Sequence, residues 1–246
     1  DRVQKIIESK GKKMIGWEEI TEGHLNQDAA VMSWQGMKGG IKAAKLGHKV
    51  VMSPTTYAYL DYIQGDKSVE NSIYAGLSLE KSYKFEPVPD SVNPKYIMGG
   101  QANLWTEVIP TLSFAYYMTY PRALSISETL WSPMEKKNWE NFAKKTLFHF
   151  NRFNEQNINI SKAVLDPIIT VYKSGEKLMC KLENNIPGTI IYYSIDNTYP
   201  VQFGEKYIAP FEIPNGDLSL RTQSFLNGEG IGRTLQIHRK ELLKRL

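Results

Sequence analysis

Three tryptophans stand where short apolar runs end: Trp17 in Gly16-Trp17-Glu18-Glu19, Trp34 in Ser33-Trp34-Gln35-Gly36, and Trp105 in Asn103-Leu104-Trp105-Thr106-Glu107. Indole faces beside carboxylates suit a neutral polar ligand with apolar faces, and a sugar ring fits that description. Tyr59 and Asp61 lie two apart in the stretch from Pro54 to Tyr62. On an extended segment they point the same way and offer one donor and one acceptor. Any one tryptophan is equally well explained as a cap on the core, but three at three strand ends favour a shared mouth. Glu18-Glu19 invites reading as a catalytic carboxylate pair. Adjacent residues on a strand face opposite sides, however, so the pair reads as scaffold.

The elements that must position these residues follow from periodicity. Runs at 13–17, 29–34, 49–53 and 96–101 are near-continuously apolar and alternate with helical patterns, among them 41–47. Such strands, separated by helices, predict a parallel sheet covered on both faces, with functional residues on the loops after the strands. Two helices are expected to close this half, one over Phe114–Leu130 and one from Asn138 to Asn157. The second carries Trp139, Phe142, Leu147, Phe150 and Phe153 on one stripe, which means packing. Beyond Asp166-Pro167 come short strands at 189–195, 210–216, 218–225 and 234–238 with turns such as Asn227-Gly228, the pattern of a small all-β sandwich. The expected division is α/β over 1–160 and all-β over 165–246.

Composition excludes several other classes. The 246 residues are 41% hydrophobic and 23% charged, enough to bury a core, and no apolar run approaches the length of a membrane-spanning helix. The formal charge of +4 is too small and dispersed to argue for nucleic acid. Cys180 is the single cysteine and reads as a buried strand residue; His24, His48, His149 and His238 show no metal-binding spacing, so neither metal nor cofactor is expected. Gly36–Gly40 lacks the Gly-Lys-Ser/Thr ending of a phosphate loop. Asn159-Ile160-Ser161 is a formal glycosylation sequon, and Lys240–Arg245 reads as a solvated basic tail. The chain opens inside a helical pattern, with Val3, Ile6 and Ile7 on one face and Gly11 as its cap, so truncation is expected.

Taken in order, Gly16-Trp17-Glu18-Glu19-Ile20, Ser33-Trp34-Gln35-Gly36, Tyr59-Leu60-Asp61-Tyr62 and Gly100-Gln101-Ala102-Asn103-Leu104-Trp105-Thr106-Glu107 resemble the β-N-acetylhexosaminidases of glycoside hydrolase family 20. Tyr120-Pro121-Arg122-Ala123-Leu124-Ser125 through Trp131 resembles the family's final barrel helix. The resemblance covers about residues 1 to 135, and residues 189 to 225 more weakly resemble an appended β-sandwich. It implies the C-terminal part of a (β/α)8 TIM barrel followed by a small sandwich. A whole barrel takes about 250 residues, and only about 160 stand before the sandwich here.

The family's chemistry is substrate-assisted: the substrate's acetamido carbonyl attacks the anomeric carbon, and an Asp-Glu pair supplies the acid and steadies the acetamido group. By motif position, Trp17, Trp34 and Trp105 would wall the sugar pocket, Tyr59 would donate to the acetamido oxygen, and Asp61 and Glu107 would accept from sugar hydroxyls. No Asp-Glu dipeptide occurs in the 246 residues. The resemblance therefore implies substrate-binding residues without the general acid, an inactive portion of a hexosaminidase or a non-catalytic carbohydrate binder. The implied partner is an oligosaccharide ending in N-acetylglucosamine or N-acetylgalactosamine. The missing barrel half, or a second copy, is expected to cover the open sheet, and a periplasmic or secreted location is implied.

Overall fold

The computed structural model describes residues 2–70, 74–201 and 204–246. The chain forms two compact units, Asp1–Asp61 with Leu79–Lys137, and Tyr62–Ser78 with Asn138–Leu246.

The first unit is built on a four-stranded parallel sheet in the order β1 (Ile15–Trp17), β2 (Ala30–Ser33), β3 (Val50–Met52), β4 (Ile97–Gly100). Register runs Trp17 to Met32, Met32 to Val51 and Val51 to Gly99, so the strand ends carrying the tryptophans lie side by side. α1 (Arg2–Glu8) precedes β1; α2 (Lys38–Lys45) stands between β2 and β3, α3 (Thr55–Ala58) and α4 (Leu79–Tyr83) between β3 and β4, and α5 (Leu112–Thr119) and α6 (Arg122–Trp131) follow β4. Val31, Val50 and Met52 of the sheet pack with Ala43 and Ala44 of α2, Ala58, Phe85 and Ile126 into one core.

Two expectations are corrected here. The helix expected over Phe114–Leu130 is two helices, because Pro121 brings no N–H and disfavours helical backbone at Tyr120, which is extended at φ −104°, ψ 145°. The apolar face expected on α1 packs only in part: Val3 and Ile6 are 64% and 55% exposed, while Ile7 is half-buried. The buried side of α1 is Gln4, whose Nε2 donates to Glu8 and whose Oε1 accepts from the Asn26 N–H. Gly11 ends the helix at φ 65° with its N–H on the Glu8 carbonyl, as a cap should. Asp1 lies outside the described residues.

In the second unit, α7 (Trp139–Glu155) starts at Asn138, whose side chain accepts from the Asn141 N–H, and buries Phe142 and Phe150. Beyond it lie β5 (Ile168–Ser174), β6 (Lys177–Glu183), β7 (Ile190–Ser194), β8 (Glu205–Lys206), β9 (Phe211–Ile213), β10 (Ser219–Leu226), β11 (Glu229–His238) and α8 (Arg239–Leu243). They form two antiparallel sheets, β11-β10-β7-β8 and β5-β6-β9, whose inner residues share one core: Val171, Leu178 and Cys180 from one, Ile191, Leu220 and Leu235 from the other. The β5–β6 hairpin lies outside the strands expected from sequence, although Ile169 and Val171 against Leu178, Cys180 and Leu182 alternate at period two. Asn227 and Gly228 both take positive φ and turn β10 into β11, as the sequence predicts.

Candidate functional site

Every residue singled out as a sugar contact belongs to the first unit and lies at the end of one of its strands or on the loop that follows it. Trp17 is the last residue of β1, and Trp34 follows β2 directly. After β3 the chain makes the single helical turn α3; Tyr59 is extended, but Leu60 and Asp61 stand in a turn, so Tyr59 and Asp61 do not share the extended segment expected of them. Tyr59 then bridges Asn103 of the β4 loop in parallel, with the Leu60 N–H on the Asn103 carbonyl at 2.7 Å. This bridge brings the Tyr59-Asp61 and Trp105-Glu107 segments together.

The aromatics form two pairs. Trp34 and Tyr59 stack with centroids 6.4 Å apart and planes at 26°, and Trp17 meets Trp105 at 6.1 Å and 45°. Tyr59 is buried, while Trp105 is 41% exposed. Such offset, tilted contacts hold the rings rigid without closing their outer faces.

Glu18 and Glu19 correct the expectation from strand geometry. The chain leaves β1 at Trp17 and enters a tight helical turn, Glu18–Glu22, so the two carboxylates do not face opposite sides of a strand. Both reach the loop after β2. Glu18 Oε2 accepts from Ser33 Oγ at 2.9 Å and the Trp34 N–H at 3.0 Å, and Glu19 Oε1 accepts from Trp34 Nε1 at 2.7 Å and Gln35 Nε2 at 2.8 Å. Glu19's own backbone N–H, aided by Trp34 and Gln35 against burial, holds its carboxyl below the usual range. Each acid thus fixes Trp34, one by its backbone and one by its indole.

Asp61 is the least ordinary group in the site. It is 7% exposed, and its Oδ1 is buried without a hydrogen-bond partner. Burial raises its pKa above the usual aspartate range; its own and Trp105's backbone N–H groups and the Arg122 charge oppose that, and Glu107 adds to it. Glu107 is exposed. Sequence reasoning missed Arg122 and Asn103. Arg122 is fully buried and donates from Nη2 to the carbonyls of Leu60 and Met118, both at 2.6 Å, so it holds the backbone next to Asp61. Asn103 donates to Ser53 Oγ at 2.6 Å and accepts from Gln101 Nε2 at 2.7 Å, tying the β4 loop to the end of β3. A lone arginine in an otherwise small and apolar helix, Arg-Ala-Leu-Ser-Ile-Ser, was the available signal for the first. Among the described residues no three His, Cys, Asp or Glu side chains converge as a metal site.

The fold and site together define a parallel α/β unit with an aromatic- and carboxylate-lined site on the loops after its strands. The model of the family described as "Glycosyl hydrolase family 20, catalytic domain" matches residues 1–134. The chain belongs to glycosyl hydrolase family 20. It is 33% identical over 230 residues to a beta-hexosaminidase of Porphyromonas gingivalis, covering 90% of this chain and 30% of that one. It is 30% identical over 152 residues to a beta-N-acetylhexosaminidase of Cellulomonas fimi, covering 58% of this chain and 30% of the relative. The chain thus spans about 30% of the length of these relatives. Among solved structures, the exo-β-N-acetylglucosaminidase of Vibrio harveyi in complex with N-acetylglucosamine is similar at TM-score 0.57 and 29% identity, over 65% of this chain and 26% of that one. This likeness implies an α/β fold of the kind that contains a TIM barrel.

Proposed function

We propose that this chain carries the sugar-gripping wall of a β-N-acetylhexosaminidase that removes terminal, non-reducing N-acetylhexosamine by substrate-assisted, retaining catalysis. The first unit corresponds to the C-terminal part of a (β/α)8 barrel, and the two antiparallel sheets form a β-sandwich after it. Trp17, Trp34 and Trp105 present indole faces to the pyranose. Tyr59 donates to the acetamido oxygen as it attacks the anomeric carbon, stabilising the charge that develops there. Asp61 and Glu107 accept from ring hydroxyls. The observation that carries this reading is the Asp61 Oδ1 atom, a buried acceptor with no partner beside a cluster of aromatic rings. A buried acceptor left unsatisfied is costly, and a ligand hydroxyl would satisfy it. The Vibrio harveyi enzyme's complex with N-acetylglucosamine supports the same sugar class.

The protonation of the leaving group has no candidate here, because the 246 residues contain no Asp-Glu pair. The chain alone is therefore expected to bind the sugar without hydrolysing it. The partnerless Asp61 Oδ1 beside the aromatic rings serves equally a second reading, a non-catalytic carbohydrate binder. A chromogenic N-acetyl-β-glucosaminide tests the first: no release above the uncatalysed rate is expected from this chain, and appreciable turnover would overturn the account. Sequencing upstream of Asp1 separates the two readings. An Asp-Glu pair about one βα unit before Asp1 supports the hydrolase, and a start codon immediately before it supports the binder.

A further inference from the structure

All three polar groups of Trp34 are engaged within the first unit. Its N–H donates to Glu18 Oε2 at 3.0 Å, its carbonyl accepts the Thr55 N–H at 2.8 Å, and its indole Nε1 donates to Glu19 Oε1 at 2.7 Å. The first two bonds fix the backbone and leave the ring to turn about its side-chain torsions. The torsion next to the indole is broad and roughly two-fold, and its two wells carry the N–H to different places. Indole is a donor only, so a charged carboxylate oxygen selects one well more strongly than a neutral acceptor would. Gln35 Nε2 donates to the same Oε1 at 2.8 Å and steadies that acceptor. Glu19 is exposed and Trp34 half-buried. An exposed carboxylate contributes little to the fold through its charge, and what this one orders is the ring.

With its N–H spent on Glu19, Trp34 meets a ligand by its face. The ring held in this orientation stacks on Tyr59, with centroids 6.4 Å apart and planes at 26°. Tyr59 is 6% exposed and its backbone is bridged to Asn103, so the indole is the surface against which the phenol ring is set. Glu19 therefore stands two contacts away from the phenol, one hydrogen bond and one ring stack.

We propose that Glu19 is a positioning residue that sets selectivity for the acetamido group: through the Trp34 indole N–H it holds the ring against which Tyr59 is aligned. This rests on the reading of Trp34 and Tyr59 as sugar-binding groups. The competing account is a carboxylate that grips a sugar hydroxyl directly, and a double-mutant cycle separates the two. Binding of N-acetylglucosamine and of glucose is titrated for the parent, Glu19→Gln, Trp34→Phe and the double variant. Glu19→Gln keeps the shape of the side chain and replaces a charged acceptor with a neutral one, so the preference for N-acetylglucosamine over glucose should fall about fivefold. Trp34→Phe keeps a stacking ring without the N–H, so adding Glu19→Gln to it should change the preference by less than about twofold. The indole N–H resonance of Trp34 gives a readout independent of sugar. Assigned among the five tryptophans by its loss in Trp34→Phe, it should lie downfield and move upfield in Glu19→Gln. Should Glu19→Gln fail to fold, Glu19→Ala takes its place in the same cycle. An unmoved resonance, an unmoved preference, or equal losses in both backgrounds overturns the proposal. A resonance that moves in a chain whose unmodified form binds no sugar upholds the hold on the ring and overturns the sugar reading.

Discussion

Replacing Asp61 by asparagine should stabilise the protein while weakening its grip on sugar. The native carboxylate is 7% exposed, has one oxygen without a partner, and carries a pKa raised by burial. A raised folded-state pKa means that the ionised form is disfavoured by folding. The aspartate's contribution is thus at its most favourable below the pKa of a free aspartate, about 3.9, and declines as pH rises through the higher folded value. Asparagine removes the charge but leaves an amide to satisfy, so the net gain at neutral pH is about 1 kcal/mol. For a chain of this size that is a rise of about 2–4 °C in melting temperature. The gain should vanish at about pH 4 and be complete above the folded-state pKa of Asp61. Binding moves the other way: a charge-assisted hydrogen bond to a sugar hydroxyl is worth about 1.5–3 kcal/mol, so affinity for N-acetylglucosamine should fall roughly tenfold to a hundredfold. Thermal melts of both proteins across this pH range, with calorimetric sugar titrations, measure the two effects. An Asp61→Asn protein that melts lower at neutral pH and binds as the parent does would refute the reasoning.

Gly39→Ala should cost about 1–3 kcal/mol in thermal melts, because its Cβ would stand 2.3 Å from Glu18 Oε2 and push that carboxylate off Ser33 and Trp34; an unchanged melt would remove Glu18 as the anchor of Trp34. Arg122→Met, which strands the Leu60 and Met118 carbonyls, should lower stability in urea by about 3 kcal/mol, and an unshifted midpoint would contradict the role given to Arg122. Among the described residues β1 and β4 pair on one side only, so sedimentation velocity should show association that grows with concentration; a monodisperse monomer throughout would count against it.

Much of the site was legible because its signals are local. Tryptophans at the ends of apolar runs mark strand termini whatever the rest of the chain does, and the runs over 13–17, 29–34, 49–53 and 96–101 are the four parallel strands. What escaped depends on tertiary context. Pro121 should have broken the helix expected over Phe114–Leu130, but the apolar period ran through it and masked the break. Glu18 and Glu19 read as strand residues in sequence because nothing in their neighbours announces that β1 stops at Trp17. The burial of Asp61 and Arg122 is invisible in sequence, since both residue types sit at the surface by default and only packing from distant segments encloses them. Val3 and Ile6 show the converse, a helical apolar stripe that is exposed.

The central claim is that Trp17, Trp34, Tyr59, Asp61 and Trp105 hold an N-acetylhexosamine, and its acetamido group is the discriminating feature. Calorimetric titration of this chain with N-acetylglucosamine and, separately, with glucose tests it most directly. The account predicts saturable binding of N-acetylglucosamine at least about tenfold tighter than of glucose, lost on Tyr59→Ala; equal affinities, or no heat with either sugar, would contradict it.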